Sequence, residues 1–112
     1  MDKNVIGDAN VKIVLDTYID IIASVLGVTQ IYLFGSYANG IPHARSDIDL
    51  MVLVEDNLMV GKMAIIINRA LVGKRNIPLD ILVNTTSDFN RIAKEPSLQN
   101  RIKSEGVLLY AQ

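Results

Sequence analysis

The stretch from Asp47 to Val54 constrains the fold most, because its residues alternate between the two sides of an extended chain. One side carries Ile48, Leu50, Val52 and Val54, and the other carries Asp47, Asp49, Met51 and Leu53. A period of two is the pattern of a β-strand, on which every second side chain points the same way. The sequence therefore predicts a strand that projects two carboxylates from one face, close together.

Periodicity and turn residues place further elements on both sides of this strand. Apolar residues at helical spacing predict helices, and β-branched or aromatic runs next to Gly or Pro predict strands. In chain order, the sequence predicts a helix that Asn10 caps and Gly27 ends, a strand over 29–34, the strand over 47–54, a helix over 57–72, a strand over 79–83, a helix from Pro96 through Ser104, and a final strand or docked tail over 107–110. The sequence thus predicts both helices and strands within one short chain.

Size and charge limit the classes of protein that fit. The chain has 112 residues, half of them hydrophobic, which suits a single domain over 1–112. Eleven basic and twelve acidic residues give a net charge of -1, which argues against binding nucleic acid along its backbone. With no cysteine and one histidine, any metal site must use oxygen ligands.

The sequence shows neither the pattern of a secretory signal nor that of a membrane span. The first residues do not form a basic region followed by an apolar run, so we expect a cytoplasmic protein. The run from Ile21 to Ala44 has no charged side chain, but several Gly, Asn and Pro residues interrupt it. We therefore expect a helix end, a strand and a turn there, rather than a membrane span.

Acidic residues on two predicted strands are the candidates for chemistry. Two unit charges about 4 Å apart repel by about 4 kcal/mol at an effective dielectric near 20, so Asp47 and Asp49 should raise a pKa or bind a cation. Asp80 is the one charged residue of the third strand, and its apolar neighbours are typical of a central strand. If that strand lies beside the second, the three carboxylates suit two metal ions, or one metal and a general base. Oxygen ligands favour Mg²⁺, although Asp-x-Asp alone is more often a solvated strand edge.

Gly35-Ser36 is a candidate phosphate site because it lies where a strand gives way to a helical turn. Most Gly-Ser pairs are turns that bind nothing, so the pair by itself is weak evidence. Tyr37 in the same turn is a candidate either to stack on a nucleotide base or to pack in the core.

Each motif alone is common, but their combination is typical of one group of proteins. A strand, Gly35-Ser36, about ten residues, Asp47-x-Asp49 on a strand and a lone Asp80 on a later strand together resemble the polymerase-beta-type nucleotidyltransferase superfamily. The short length and the sequence GSYANG…SDIDLMV resemble its minimal nucleotidyltransferases, which include antitoxins encoded beside HEPN-domain toxins. The resemblance implies a two-layer α+β fold, with helices packed on one face of a small mixed sheet.

The resemblance also implies roles for individual residues. Gly35 and Ser36 would bind the triphosphate of ATP, while Asp47, Asp49 and Asp80 would be the catalytic acids that hold Mg²⁺, two ions in all. Family members often have a basic residue where Asn39 stands, which puts one contact with phosphate or with a partner in doubt. Arg45 is a candidate to replace that charge near the phosphates, with a solvated loop arginine as the alternative.

Two functions remain open at this point. One is an antitoxin enzyme that transfers AMP from ATP to a hydroxyl, such as a tyrosine of a HEPN-domain partner. The other is a binding module that neutralises such a partner by occlusion, without turnover.

Overall fold

The computed structural model describes residues 9–40 and 47–112, apart from the side chain of residue 9. Its elements are α1 (Ala9–Ala23), β1 (Val28–Phe34), α2 (Ser36–Asn39), β2 (Ile48–Val54), α3 (Val60–Ala70), β3 (Leu79–Thr85), α4 (Thr86–Ile92), α5 (Leu98–Glu105) and β4 (Val107–Ala111). Every predicted strand is present. Arg45, a predicted site residue, lies outside the described residues.

The four strands form one mixed sheet in the order β3-β2-β1-β4. β1 is antiparallel to both β2 and β4, whereas β2 and β3 are parallel. A parallel pair requires a crossover connection, and α3 supplies it. The α+β class and the mixed sheet expected from the resemblance are confirmed.

Helices cover both faces of the sheet, which differs from the predicted single face. The first face of β2 carries Leu50 and Val52 and packs against α1 and α3, so the prediction holds there. The second face carries Met51 and Leu53, which pack under Phe89 of α4 and Ile102 of α5. Apolar side chains on this second face also need cover from water, and the two short helices provide it.

The third strand lies at the edge of the sheet, so its predicted central position was wrong. Ile81 and Val83 pack on the first face, which explains the apolar character of the strand. On the second face, Asp80 and Leu82 are exposed. The end of the second face that carries the acidic residues is therefore open to solvent at Asp80.

A buried tyrosine fixes the segment that leads into β3. The hydroxyl of Tyr18 in α1 donates to the carbonyl of Ile77 (2.7 Å) and accepts from the backbone N–H groups of Asn76 (2.9 Å) and Ile77 (3.0 Å). In turn, the N–H of Ile48 donates to the carbonyl of Pro78 (2.8 Å). Tyr18 thus helps to set the position of β3 beside β2.

We expect Tyr18→Phe to lower the free energy of unfolding by about 1–3 kcal/mol, because it leaves three part-buried backbone groups without their partner. Urea denaturation followed by circular dichroism measures this loss. Tyr32→Phe is the matched control, since that ring stacks on Phe89 and its hydroxyl makes no hydrogen bond within the described residues. Equal stability changes in the two variants would contradict the role given to Tyr18.

No helix within the described residues is long and apolar enough to span a bilayer. The described part of the uncharged run from Ile21 folds instead as the end of α1, then β1 and α2. The predicted helix end, strand and turn are confirmed for this part of the run.

Candidate active site

The three predicted acids come together at one end of the second face. Asp49 is the second residue of β2, and in the parallel pair it is aligned with Asp80 of β3. Neighbours aligned in this way point to the same face of a sheet. Asp47 comes two residues before Asp49, directly ahead of β2, and is exposed. The condition set by the sequence, that the third strand lies beside the second, is met.

Electrostatics supports this grouping. Burial raises the pKa of the half-buried Asp49 carboxyl, and the negative charges of Asp80 and then Asp47 raise it further. Asp49 is therefore a carboxylate in a place that disfavours its charge, as expected for acids that share one site. A bound cation would offset this unfavourable charge.

Within residues 9–40 and 47–112, no group of three or more His, Cys, Asp or Glu side chains is already arranged to hold a metal ion. The predicted metal ligands thus share a face without forming a ready-made three-ligand cage. Proteins commonly hold Mg²⁺ through one or two carboxylates, and substrate phosphates and water complete the shell. The oxygen donors of Asp49 and its neighbours fit that kind of site.

A tight backbone turn lies directly against Asp49. β1 ends at Phe34, and Gly35 follows with φ 78° and ψ -158°, a conformation that is essentially restricted to glycine. A β-carbon on Gly35 would overlap Oδ2 of Asp49 and lie 3.2 Å from its Cγ. Glycine at this position is therefore required both by the backbone angles and by the carboxylate beside it.

The turn continues into a single turn of helix. The N–H groups of Ala38 and Asn39 donate to the carbonyl of Gly35 at 3.1 and 3.0 Å, and Ser36 is the first residue of α2. Gly35 and Ser36 thus lie beside the acids, as the motif predicted. Tyr37 packs against the core of the first face, which favours packing over base stacking.

Sequence reasoning missed the cavity that adjoins this turn. It has a volume of about 160 Å³ and opens between α2 and α5. Its lining residues are Phe34, Gly35, Ala38, Asn39, Leu98, Arg101, Ile102, Glu105 and Gly106. Helical spacing could have shown that Leu98, Arg101 and Glu105 share a side of α5, but it gave no sign that this side meets the Gly35 turn.

Comparison with known proteins agrees with the geometry. The sequence profile described as "Polymerase beta, Nucleotidyltransferase" matches residues 16–112. A protein from Sulfolobus solfataricus, named as a candidate nucleotidyltransferase, has a similar structure with a TM-score of 0.68 and 17% identity, over 100% of this chain and 90% of that one. No curated protein sequence matches at the level of significance applied.

Two further structures with the same fold are mutants of the toxin–antitoxin complex MntA–HpeT. The first, a tyrosine-to-alanine mutant, has a TM-score of 0.56 and 22% identity, over 88% of this chain and 72% of that one. The second, a double aspartate-to-glutamate mutant, has a TM-score of 0.57 and 20% identity, over 87% and 73% of the two chains. The resemblance to polymerase-beta-type nucleotidyltransferases drawn from the motifs is confirmed.

Proposed function

This chain belongs to the polymerase beta nucleotidyltransferase family, and we propose that it transfers AMP from ATP to an acceptor hydroxyl with the help of Mg²⁺. The observation that carries the proposal is that the Gly35 turn lies against Asp49, and that Asp49 is itself in register with Asp80. This arrangement puts a backbone turn suited to phosphate next to carboxylates suited to a divalent cation.

Each residue has a separate task in this proposal. Asp47 and Asp49 hold Mg²⁺, and Asp80 completes the acidic group. Gly35 and Ser36 bind the triphosphate, because the turn brings the backbone close to the phosphate chain. Bound Mg²⁺ would neutralise charge on the triphosphate and lower the pKa of the acceptor hydroxyl.

The reaction is an in-line displacement at the α-phosphorus. The acceptor oxygen forms a bond to phosphorus, the bond from phosphorus to the bridging oxygen of the β-phosphate breaks, and pyrophosphate leaves. Asp80 takes the proton of the acceptor hydroxyl, since it is exposed on the face where the acceptor arrives. The protein contributes chiefly positioning and electrostatic stabilisation.

The acceptor we propose is a tyrosine on a HEPN-domain toxin, so that the chain acts as an antitoxin. Two solved structures with this fold are toxin–antitoxin complexes, which supports a protein partner. The open side of the acidic group at Asp80 leaves room for a second protein to form the other wall of the site.

Transfer is tested with ATP labelled at the α-phosphorus and, in parallel, at the γ-phosphorus. With Mg²⁺ and the protein encoded by the neighbouring gene, tested as the partner, we expect label on that protein from α-labelled ATP only. A stable complex that never acquires label would instead support the binding module that acts by occlusion. Label from γ-labelled ATP would identify a kinase and contradict the proposal.

Binding of nucleotide is a separate prediction. At a ligand concentration of one hundred times Kd, linkage adds about 2.7 kcal/mol to stability, which corresponds to a rise in Tm on the order of 10 °C for a domain of this size. We expect Mg²⁺ and ATP together to give a much larger rise in Tm than either alone in a thermal shift assay. An unchanged Tm at millimolar concentrations of both would contradict the proposed site.

A further inference from the structure

Arg101 lies on the side of α5 that lines the cavity beside the Gly35 turn. The next residue, Ile102, is buried in the core of the second face and fixes the rotation of the helix. At the start of α5, the Ser97 hydroxyl accepts from the N–H of Asn100 (3.0 Å), whose side chain donates to the carbonyl of Ala93 (2.9 Å). Arg101 therefore projects from a well-anchored helix.

The guanidinium of Arg101 makes no ion pair or side-chain hydrogen bond within the described residues. Some of the other described cations do have partners, since Lys12 pairs with Asp16, Arg91 pairs with Asp88, and Lys103 donates to Asn90. Among the described residues that line the cavity, Arg101 is the one with a positive charge. An unpaired arginine beside a cavity is suited to an anionic ligand.

The neighbouring acids disfavour a polyanion at this place, so a cation of the protein would help such a ligand to bind. Gly35 lines the cavity and also lies against Asp49, so the cavity is next to the turn that contacts the acidic group. A triphosphate that enters would approach the negative charges of Asp49 and Asp80, which lie side by side in register. Arginine binds phosphate through two parallel N–H donors, which provides both charge and direction.

We propose that Arg101 binds the phosphate chain of the nucleotide in this cavity, as a binding residue that does not take part in the chemical step. The inference rests on the proposed function for the identity of the ligand. It concerns binding, however, so it can be tested without any transfer. The competing explanation is that Arg101 pairs in solution with Glu105, one helical turn further on.

The test compares Arg101→Gln with the unaltered protein by isothermal titration with ATP, ADP, AMP and adenosine in the presence of Mg²⁺. We expect Kd for ATP to rise by roughly 10-fold or more, as for loss of a charge-assisted hydrogen bond. The effect should decrease with each phosphate removed and vanish for adenosine. Arg101→Lys should restore part of the affinity, because it keeps the charge but not the paired donors.

Lys103→Gln is the matched control, because it removes one positive charge from the same helix. The side chain of Lys103 does not line the cavity and instead donates a hydrogen bond to Asn90. We expect it to leave every Kd unchanged, while Glu105→Gln should leave ATP affinity equal or higher. The inference would be overturned if Arg101→Gln bound ATP as tightly as the unaltered protein does. Equal losses of affinity for ATP and adenosine would also overturn it, and so would an unaltered protein that binds no nucleotide. Nucleotide binding that depends on Arg101, with no transfer to any partner, would uphold it and reject only the proposed reaction.

Discussion

Asp49→Asn is expected to reduce AMP transfer by roughly 10²–10³-fold, in line with the loss of a charged group that stabilises a transition state, and to raise the Tm at neutral pH. The loss of activity follows because Asp49 is the central carboxylate of the site, aligned with Asp80 and in contact with the Gly35 turn. The gain in stability follows because burial and two like charges disfavour its ionised form. A residue retained for function at a cost in stability is a common property of active sites.

The dependence of the Tm on pH tests the effect on stability separately from the effect on activity. The pKa of Asp49 is higher in the folded protein than in the unfolded chain, so its ionisation lowers stability at neutral pH. This loss of stability disappears as the pH falls through the raised pKa and is absent below the ordinary value of 3.8. The Tm advantage of Asp49→Asn should therefore shrink over the same range. Thermal denaturation from pH 7 to pH 3, followed by circular dichroism, measures it.

Asp16→Asn is the control for this variant, because Asp16 is exposed on α1 and forms a surface ion pair with Lys12. Exposed pairs contribute little, so we expect neither a gain in Tm nor a loss of transfer. Transfer by Asp49→Asn at the rate of the unaltered protein would remove Asp49 from the mechanism. A lower Tm at pH 7 than that of the unaltered protein would contradict the electrostatic description of the site.

Much of the fold could be predicted because the sequence patterns are local. Strict alternation over 47–54 gave the two faces of β2 correctly, and Gly35 marked the end of β1, where the chain needs positive φ. The end of α1 was predicted less well, because the helix stops at Ala23, before the predicted Gly27. Prediction of the acidic group needed one further condition, that β3 lies beside β2. The parallel crossover through α3 satisfies that condition and brings Asp80 level with Asp49.

The remaining features depend on contacts between distant elements. The apolar neighbours of Asp80 suggested a central strand, but packing on one face alone accounts for Ile81 and Val83 at an edge. Met51 and Leu53 required cover on the second face, yet no local pattern says which helices provide it. For the same reason Arg101 was missed, since the cavity exists only where α5 meets the Gly35 turn.

Gly35→Ala is expected to cause the largest loss of stability, together with loss of transfer. An alanine at φ 78° and ψ -158° costs about 1–3 kcal/mol in backbone strain. Overlap of its β-carbon with the Asp49 carboxylate adds a similar amount, of about 1–3 kcal/mol, unless that side chain moves. If Asp49 moves, it leaves the position in which it would hold a cation. Urea denaturation and the AMP transfer assay measure the two effects.

Two further variants separate backbone strain from the contact with Asp49. Gly73 has a similar φ of 77°, but a β-carbon there would meet no atom within 4 Å, so Gly73→Ala reports the cost of positive φ without a contact. We expect Gly35→Ala to lose clearly more stability than Gly73→Ala. In an Asp49→Ala background, where the overlapping oxygen is absent, the cost of Gly35→Ala should fall by the share that is due to the overlap. Equal costs of Gly35→Ala in both backgrounds would mean that the turn and the carboxylate are not in contact, and the proposed site would lose its main support.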